Sequence, residues 1–215
     1  MRYGNRTIAG IELAERLLGY KHHAVVYAIA RGGVAVGAEV ARILEVPLDV
    51  IVTNKISREG ANEYAVGAVG EAGSPVWNEL EETNLSSSWK RHAVARVRQE
   101  VRRRRLLYTS GHRHMSAVHK TALVVDDGIA TGMTMVAAIR EIARYHPLRI
   151  VVAVPCAPRE AIDKLIQEAD EVIVLNNPDT YVGAVSAYYD DFAQLRDSDV
   201  IELVHQYKLT TARPN

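Results

Sequence analysis

The sequence predicts an α/β fold: a central, mostly parallel sheet of about five strands with helices on its faces. Three observations predict it. Continuous apolar runs rich in β-branched residues, such as Ala24-Val-Val-Tyr-Ala-Ile-Ala30, suit strands covered on both faces. These runs alternate with segments of helical periodicity, which implies right-handed crossovers between parallel strands. Two of the runs end in glycine-bearing turns that open directly into helices, the place where open parallel sheets bind ligands.

Helical spacing of Ile8, Ile11, Leu13, Ala14, Leu17 and Leu18 predicts a first helix over 7–18, closed by Gly19. The apolar run 24–30 is the first strand and ends in Arg31-Gly32-Gly33. A helix follows over 34–44, Pro47 marks its exit, and 48–53 is a second strand. Residues 54–74 are polar and carry Gly60, Gly67, Gly70 and Gly73, which predicts a flexible loop over about 54–73 with one short strand near 65–69. The longest helical pattern covers 86–108, with Val94, Val97 and Val101 on one face, and 109–120 reads as a polar connector. Strands at 122–126, 149–154 and 171–175 then alternate with helices at 131–145 and 158–168. The tail carries an aromatic cluster, Tyr181, Tyr188, Tyr189 and Phe192, and a final helix after an Asp197-Ser198 cap. With no internal repeat or low-complexity linker, 1–215 reads as one α/β domain. Residues from about 176 to 215 form a small accessory lobe, with room for an N-terminal contribution.

Lys and Arg number 26 and Asp and Glu 26, so the formal net charge is zero at pH 7. Domains that hold nucleic acid by bulk electrostatics are usually strongly basic, so nucleic acid is not an expected partner. The single cysteine, Cys156, permits no intramolecular disulfide, which fits a reducing compartment. No stretch approaches the ~18 apolar residues of a membrane span. The first twenty residues carry Glu12, Glu15 and Arg16 where a signal peptide would need an apolar core. A cytoplasmic location is expected, as is a homo-oligomer, in its simplest form a dimer.

The chemistry concentrates in T-A-L-V-V-D-D-G-I-A-T-G-M-T-M, residues 121–135. An apolar strand ends in two carboxylates, Asp126 and Asp127, and a short turn opens into a helix. A helix N-terminus offers unpaired N–H groups and partial positive charge to a phosphate. Gly128 and Gly132 let the backbone approach, and Thr131 and Thr134 add hydroxyl donors. Two carboxylates would repel that phosphate. They suit sugar hydroxyls, with Mg²⁺ nearby to offset charge. The pattern alone points to a ribose 5-phosphate site. No G-x-x-x-x-G-K-[ST] is present, nor a G-x-G-x-x-G after the first strand, which argues against a Walker-type triphosphatase and a dinucleotide fold.

Val124-Val-Asp-Asp-Gly-Ile-Ala-Thr-Gly-Met-Thr134 resembles the PRPP-binding signature of the type I phosphoribosyltransferases, and in particular their predicted members of unassigned substrate. Ala30-Arg31-Gly32-Gly33 resembles the family's diphosphate loop. Residues 54–73 occupy the place of its flexible catalytic loop. The segment 176–192, with Pro178-Asp-Thr-Tyr-Val-Gly183, is similar to the hood over the base. The resemblance implies the type I fold and transfer of a phosphoribosyl group from PRPP to a nitrogenous base, a purine among the candidates, with release of diphosphate, as in nucleotide salvage. It implies that Asp126 and Asp127 hold the ribose hydroxyls. Gly128, Ala130, Thr131, Gly132, Met133 and Thr134 would hold the 5-phosphate, and Arg31, Gly32, Gly33 and Lys55 the diphosphate. Tyr181 would stack on the base. Mg²⁺ would be held mainly by PRPP, near the two aspartates.

The chain departs from the 6-oxopurine enzymes in three places. Ala130 stands where those enzymes carry a proposed general base, Val154-Pro155-Cys156-Ala157 lacks their carbonyl-reading lysine, and Ala187 falls at their hood acid. Proton handling then passes to the loop, where Glu63 is the candidate; Lys55, Glu63 and Tyr64 are the side chains placed to reach the site on closure, and Glu63, Lys55 and Arg31 are the expected catalytic residues. The alternative is a regulator that binds PRPP without turnover and uses the basic helix 90–105 on RNA or DNA. The plainer reading of that helix is a solvated amphipathic face. Likewise His112, His114 and His119 read as a polar loop, and Cys156 as a small buried residue without an adjacent base.

Overall fold

The computed structural model describes residues 2–58, 65–176 and 178–211. Five strands form one sheet: β1 (Ala24–Ile29), β2 (Leu48–Ile51), β6 (Thr121–Val125), β7 (Arg149–Val154) and β8 (Glu171–Val174), in the order β2-β1-β6-β7-β8. Every neighbouring pair is parallel, with Tyr27 opposite Val124 and Val124 opposite Val152. β1 and β6 are buried along their whole lengths, as their unbroken apolar sequences require.

Alternation along β1 feeds two cores. Val26 and Ala28 face one layer, with Leu13 of α1 (Arg6–Arg16) and Leu17 at its C-cap, Val36 and Val40 of α2 (Gly32–Leu44), and Val97 and Val101 of α4 (Ser87–Thr109). Val200 and Val204 of α7 (Asp197–Thr211) complete that layer. Val25, Tyr27 and Ile29 face the other, with Met135, Ile139 and Ile142 of α5 (Met133–Ile142) and Leu165 of α6 (Arg159–Leu165). The chain leaves β1 toward β2 and later returns to add β6 on the opposite side of β1. The connections thus diverge between β1 and β6, and a crevice forms there at the strands' carboxyl ends.

The stretch expected as a loop with one short strand contains more order than that. β3 (Asn54–Ser57), β4 (Ala65–Val69) and β5 (Val76–Trp77) form an antiparallel sheet. Ile56, Val66 and Val69 are buried in the α4-facing core, which gives the strands an apolar anchor despite the polar sequence of β3. A short helix, α3 (Glu79–Glu82), links this sheet to α4. No helix among the described residues is long and apolar enough to cross a membrane.

Candidate active site

Helix starts separate into two kinds. Side chains cap α1, α3 and α4: Asn5 accepts from the Ile8 N–H, Asn78 from Leu80 and Ser86 from Trp89. Neither α2 nor α5 has a side-chain cap, a property shared with α6. Those of α2 and α5 follow β1 and β6, so two helix ends without side-chain caps lie at the crevice, where a helix start can offer amide donors. Thr131, expected as a hydroxyl donor to the phosphate, is exposed and does not cap the helix. Gly132 takes the cap position in the left-handed region, at φ 82°, where a side chain would be strained. Ala130 is exposed, and Met133 and Thr134 are half-buried at the helix start.

The two loops meet directly. A Cβ on Gly32 would lie 1.9 Å from Asp127 Oδ2, so any other residue would collide with the acidic pair. Gly33 lies against Asp126 in the same way. The structure therefore brings Gly32, Gly33, Asp126 and Asp127 into one site, although the pairs are far apart in sequence. The Ala30–Arg31 peptide that leads into the first loop is cis.

Asp126 Oδ1 accepts the Asp127 N–H at 2.8 Å. Burial, and then the neighbouring Asp127 carboxylate, push Asp126 well above the ordinary carboxylate range. Asp127 has other partners. Arg6 Nε donates to its Oδ2 at 2.7 Å, and the Tyr189 hydroxyl donates to its carbonyl at 2.6 Å. Tyr189 belongs to the aromatic cluster of the tail, whereas Arg6 is marked by no sequence pattern. Cys156 is fully buried beneath the turn: its carbonyl accepts the Ile129 N–H at 2.9 Å. Burial, with Asp127 and Asp126 near, pushes its thiol up to about 12, which fits a packing residue and not a nucleophile.

The segment after β8 closes over this turn. Val185 and Cys156 flank Gly128, where a Cβ would meet them at 2.6 and 2.7 Å. Tyr181 packs on Tyr188 with ring centres 5.6 Å apart, so at most one face of its ring remains for a base. Its buried hydroxyl has no hydrogen-bond partner among the described residues. The N-terminus joins this layer: Tyr3 N–H donates to the Tyr188 carbonyl at 2.8 Å, and Asn176 Nδ2 donates to the Tyr3 hydroxyl at 2.9 Å.

The remaining expected residues are less directly placed. Arg31 lies 3.5 Å from Asp197 at the start of α7. Lys55 is exposed on β3, opposite Ala68. Glu63 and Tyr64 lie outside the described residues. The basic helix differs from a plain solvated face. Arg98 donates to the Gly73 carbonyl, Arg103 and Arg104 pair with Glu100, and Arg105 is buried against Asp49. His114 is not part of a simple polar loop either, since it joins Asp49 at 3.0 Å and stacks on Tyr145. No cluster of three or more His, Cys, Asp or Glu among the described residues could hold a metal by itself.

The phosphoribosyl transferase domain model matches residues 3–191, and the chain belongs to that family, the type I phosphoribosyltransferases. A Mycobacterium tuberculosis protein provisionally named a phosphoribosyl transferase, known from two strains, is 36% identical over 203 residues. The match covers 93% of this chain and 45% of that protein, so the chain spans about half the length of the curated relatives it matches. The crystal structure of TT1426 from Thermus thermophilus is similar at 38% identity, covering 96% of this chain and 99% of that one with a TM-score of 0.80. The AQ2163 protein of Aquifex aeolicus shares the fold at 14% identity, with a TM-score of 0.50 over 80% of this chain and 72% of that one.

Proposed function

We propose that this chain transfers the 5-phosphoribosyl group of PRPP to a nitrogen nucleophile. The nitrogen's electron pair forms the bond to C1, the C1–oxygen bond breaks, its electron pair leaves with diphosphate, and the nitrogen gives up a proton. The observation that carries this reading is the contact of Gly32 with Asp127, which sets the candidate diphosphate loop against the candidate sugar acids.

In this reading, Asp126 and Asp127 bind the ribose hydroxyls, and Gly128 and 130–134 bind the 5-phosphate at the uncapped start of α5. Gly32 and Gly33 bind diphosphate at the start of α2, with Arg31 and Lys55 turning toward it when it is present. Such a reaction passes through a cationic sugar, so the chain's work is positioning and charge stabilisation. Two adjacent carboxylates can supply only part of the oxygen shell that Mg²⁺ prefers. That donor set fits an ion whose other ligands come from PRPP, where it would offset diphosphate charge. Glu63 is the proposed proton acceptor and Tyr181 the proposed base contact. Residues 1–215 are read as one phosphoribosyltransferase unit, with about 176–215 as its hood subregion and room for an N-terminal contribution. A nitrogenous base, a role in nucleotide salvage, a dimeric assembly and a cytoplasmic setting belong to the same reading. The arginines of α4 that are paired within the chain support the absence of nucleic acid from it.

The test incubates the protein with PRPP, Mg²⁺ and a panel of purine and pyrimidine bases and measures diphosphate release. Base-dependent release supports the transferase. PRPP binding with no release for any base would favour a regulator, and no PRPP binding at all would remove both readings.

A further inference from the structure

Arg6 lies 121 positions before Asp127 in the sequence, yet the two side chains form an ion pair of 2.7 Å with 11% and 14% of their surfaces exposed. A second nitrogen of the same guanidinium, Nη1, donates to the Ala193 carbonyl at 2.9 Å. Its carbon stands 3.8 Å from the centre of the Phe192 ring, a stacking distance for a cation on an aromatic face. On the other side lies Gly32, where a Cβ would come within 3.1 Å of Arg6 Nε. One planar cation therefore touches three things at once: a sugar acid, the glycine loop at the start of α2, and the segment over the site.

The surrounding backbone fixes the cation's place. The Asp190 and Asp191 N–H groups donate to the Tyr3 and Gly4 carbonyls at 2.9 and 3.0 Å, so the residues just before α1 run beside those that follow Tyr189. The Tyr189 hydroxyl then reaches the Asp127 backbone. Two adjacent carboxylates repel each other and would drift apart or take up a proton. A guanidinium on Asp127 Oδ2 holds that carboxylate in one orientation, and a planar fork does so with more geometric definition than an ammonium.

We propose that Arg6 is a positioning residue of the phosphoribosyl site, aiming Asp127 at the sugar while fastening 189–193 onto the same carboxylate, so that sugar binding and closure over the acceptor are coupled. The sugar half of this proposal rests on the proposed function; the fastening half stands on the geometry alone.

The test is a double-mutant cycle of Arg6→Gln and Asp127→Asn, with Arg6→Lys as a second variant that keeps the charge. Calorimetry with PRPP and Mg²⁺ should show Arg6→Gln losing several-fold to about a hundred-fold in affinity, the range for coupled neighbours. The same substitution in Asp127→Asn protein should add little. Inorganic phosphate, which reads only the 130–134 turn, should bind Arg6→Gln as it binds wild type. Hydrogen exchange at the 190 and 191 amides, measured without ligand, should quicken in Arg6→Gln. Arg6→Lys should recover part of the PRPP affinity. An equal loss with and without the Asp127 carboxylate would mean that Arg6 contacts PRPP directly and would overturn the positioning role. Unchanged exchange at 190 and 191 would overturn the fastening role. Wild-type protein that bound no PRPP would remove the proposed function and the sugar half with it, while the exchange measurement would still decide the other half.

Discussion

Arg105 of α4 lies 3.1 Å from Asp49 of β2, with each side chain about nineteen-twentieths buried. Burial alone would raise Asp49, but His114, Arg105 and the Met115 N–H outweigh it and hold the carboxyl below its ordinary range. A folded-state value below the unfolded one makes the stabilisation present above the ordinary carboxylate range. It is lost as pH falls through the lowered value. Arg105→Met should then cost about 3–5 kcal/mol in urea denaturation at neutral pH, because it strands a buried charge. Arg102→Gln, on the exposed side of the same helix, should stay within about 0.5 kcal/mol. Equal effects from the two would show that the Asp49 pair carries no special weight.

Gly32→Ala puts a methyl group where Asp127 Oδ2 now lies. Either the carboxylate or the α2 loop must shift, and both belong to the proposed sugar–diphosphate site. The variant should remain folded, since overpacking at one surface crevice costs about 1–3 kcal/mol. Its PRPP affinity should fall at least about ten-fold, on the order of the effect of displacing one charged contact. Phosphate binding at the α5 turn should survive. Calorimetry with both ligands checks this, and unchanged PRPP affinity would separate Gly32 from the site.

Asp126 offers a prediction in which stability and function move oppositely. Its folded-state value is raised, so the folded protein holds that proton more tightly than the unfolded chain does. The favourable contribution is complete below the ordinary carboxylate range and is lost as pH rises through the raised value. Asp126→Asn keeps an acceptor for the Asp127 N–H and carries no charge. It should melt a few degrees above wild type at pH 8, about what 1 kcal/mol yields at this chain length. That gain should shrink toward pH 5, while PRPP affinity falls at pH 8. A gain that grew on acidification would mean the sign is wrong.

How much of this could be read beforehand depends on the range of the interactions. The β1 and β6 strands announce themselves because burial on both faces leaves an unbroken apolar run. The 126–134 turn does so because the phosphate binding proposed for it draws on adjacent residues. Arg6 carries no such mark: its meaning arises only when α1, β6 and the 189–193 segment come together. β3 was invisible because Asn54-Lys-Ile-Ser57 offers one apolar side chain and pairs through its backbone. Arg105 hid inside the run Arg102–Arg105, which reads as a charged surface. Its spacing from Val97, Val101 and Tyr108 places it on the buried face, a signal that was present and outweighed by its charge.

The hairpin of β3 and β4 carries Lys55 and leads into and out of the segment that holds Glu63. A cationic sugar must be kept from water, and a segment beside the site that closes on substrate is the usual means. The base of this hairpin cannot supply that movement by melting, because Ile56, Val66 and Val69 are buried in the main core. The loop closure expected from the sequence would therefore leave the paired strands 54–57 and 65–69 in place. Hydrogen exchange with and without PRPP and Mg²⁺ tests this. Amides in 54–57 and 65–69 should be protected in both states, and those in 59–64 should slow only when PRPP is added. Glu63 belongs to that second set, and as the proposed proton acceptor it acts on the chemical step more than on PRPP binding. Glu63→Gln should lower kcat at least about a hundred-fold, the usual scale of general-base loss, with KM for PRPP changed little. Lys55, exposed on β3 opposite Ala68, should show the opposite balance, with Lys55→Ala raising KM for PRPP more than it lowers kcat. A Glu63→Gln protein with full turnover would move proton acceptance to solvent or to another side chain. Exchange in 59–64 that ignored PRPP would leave the hairpin a fixed part of the fold.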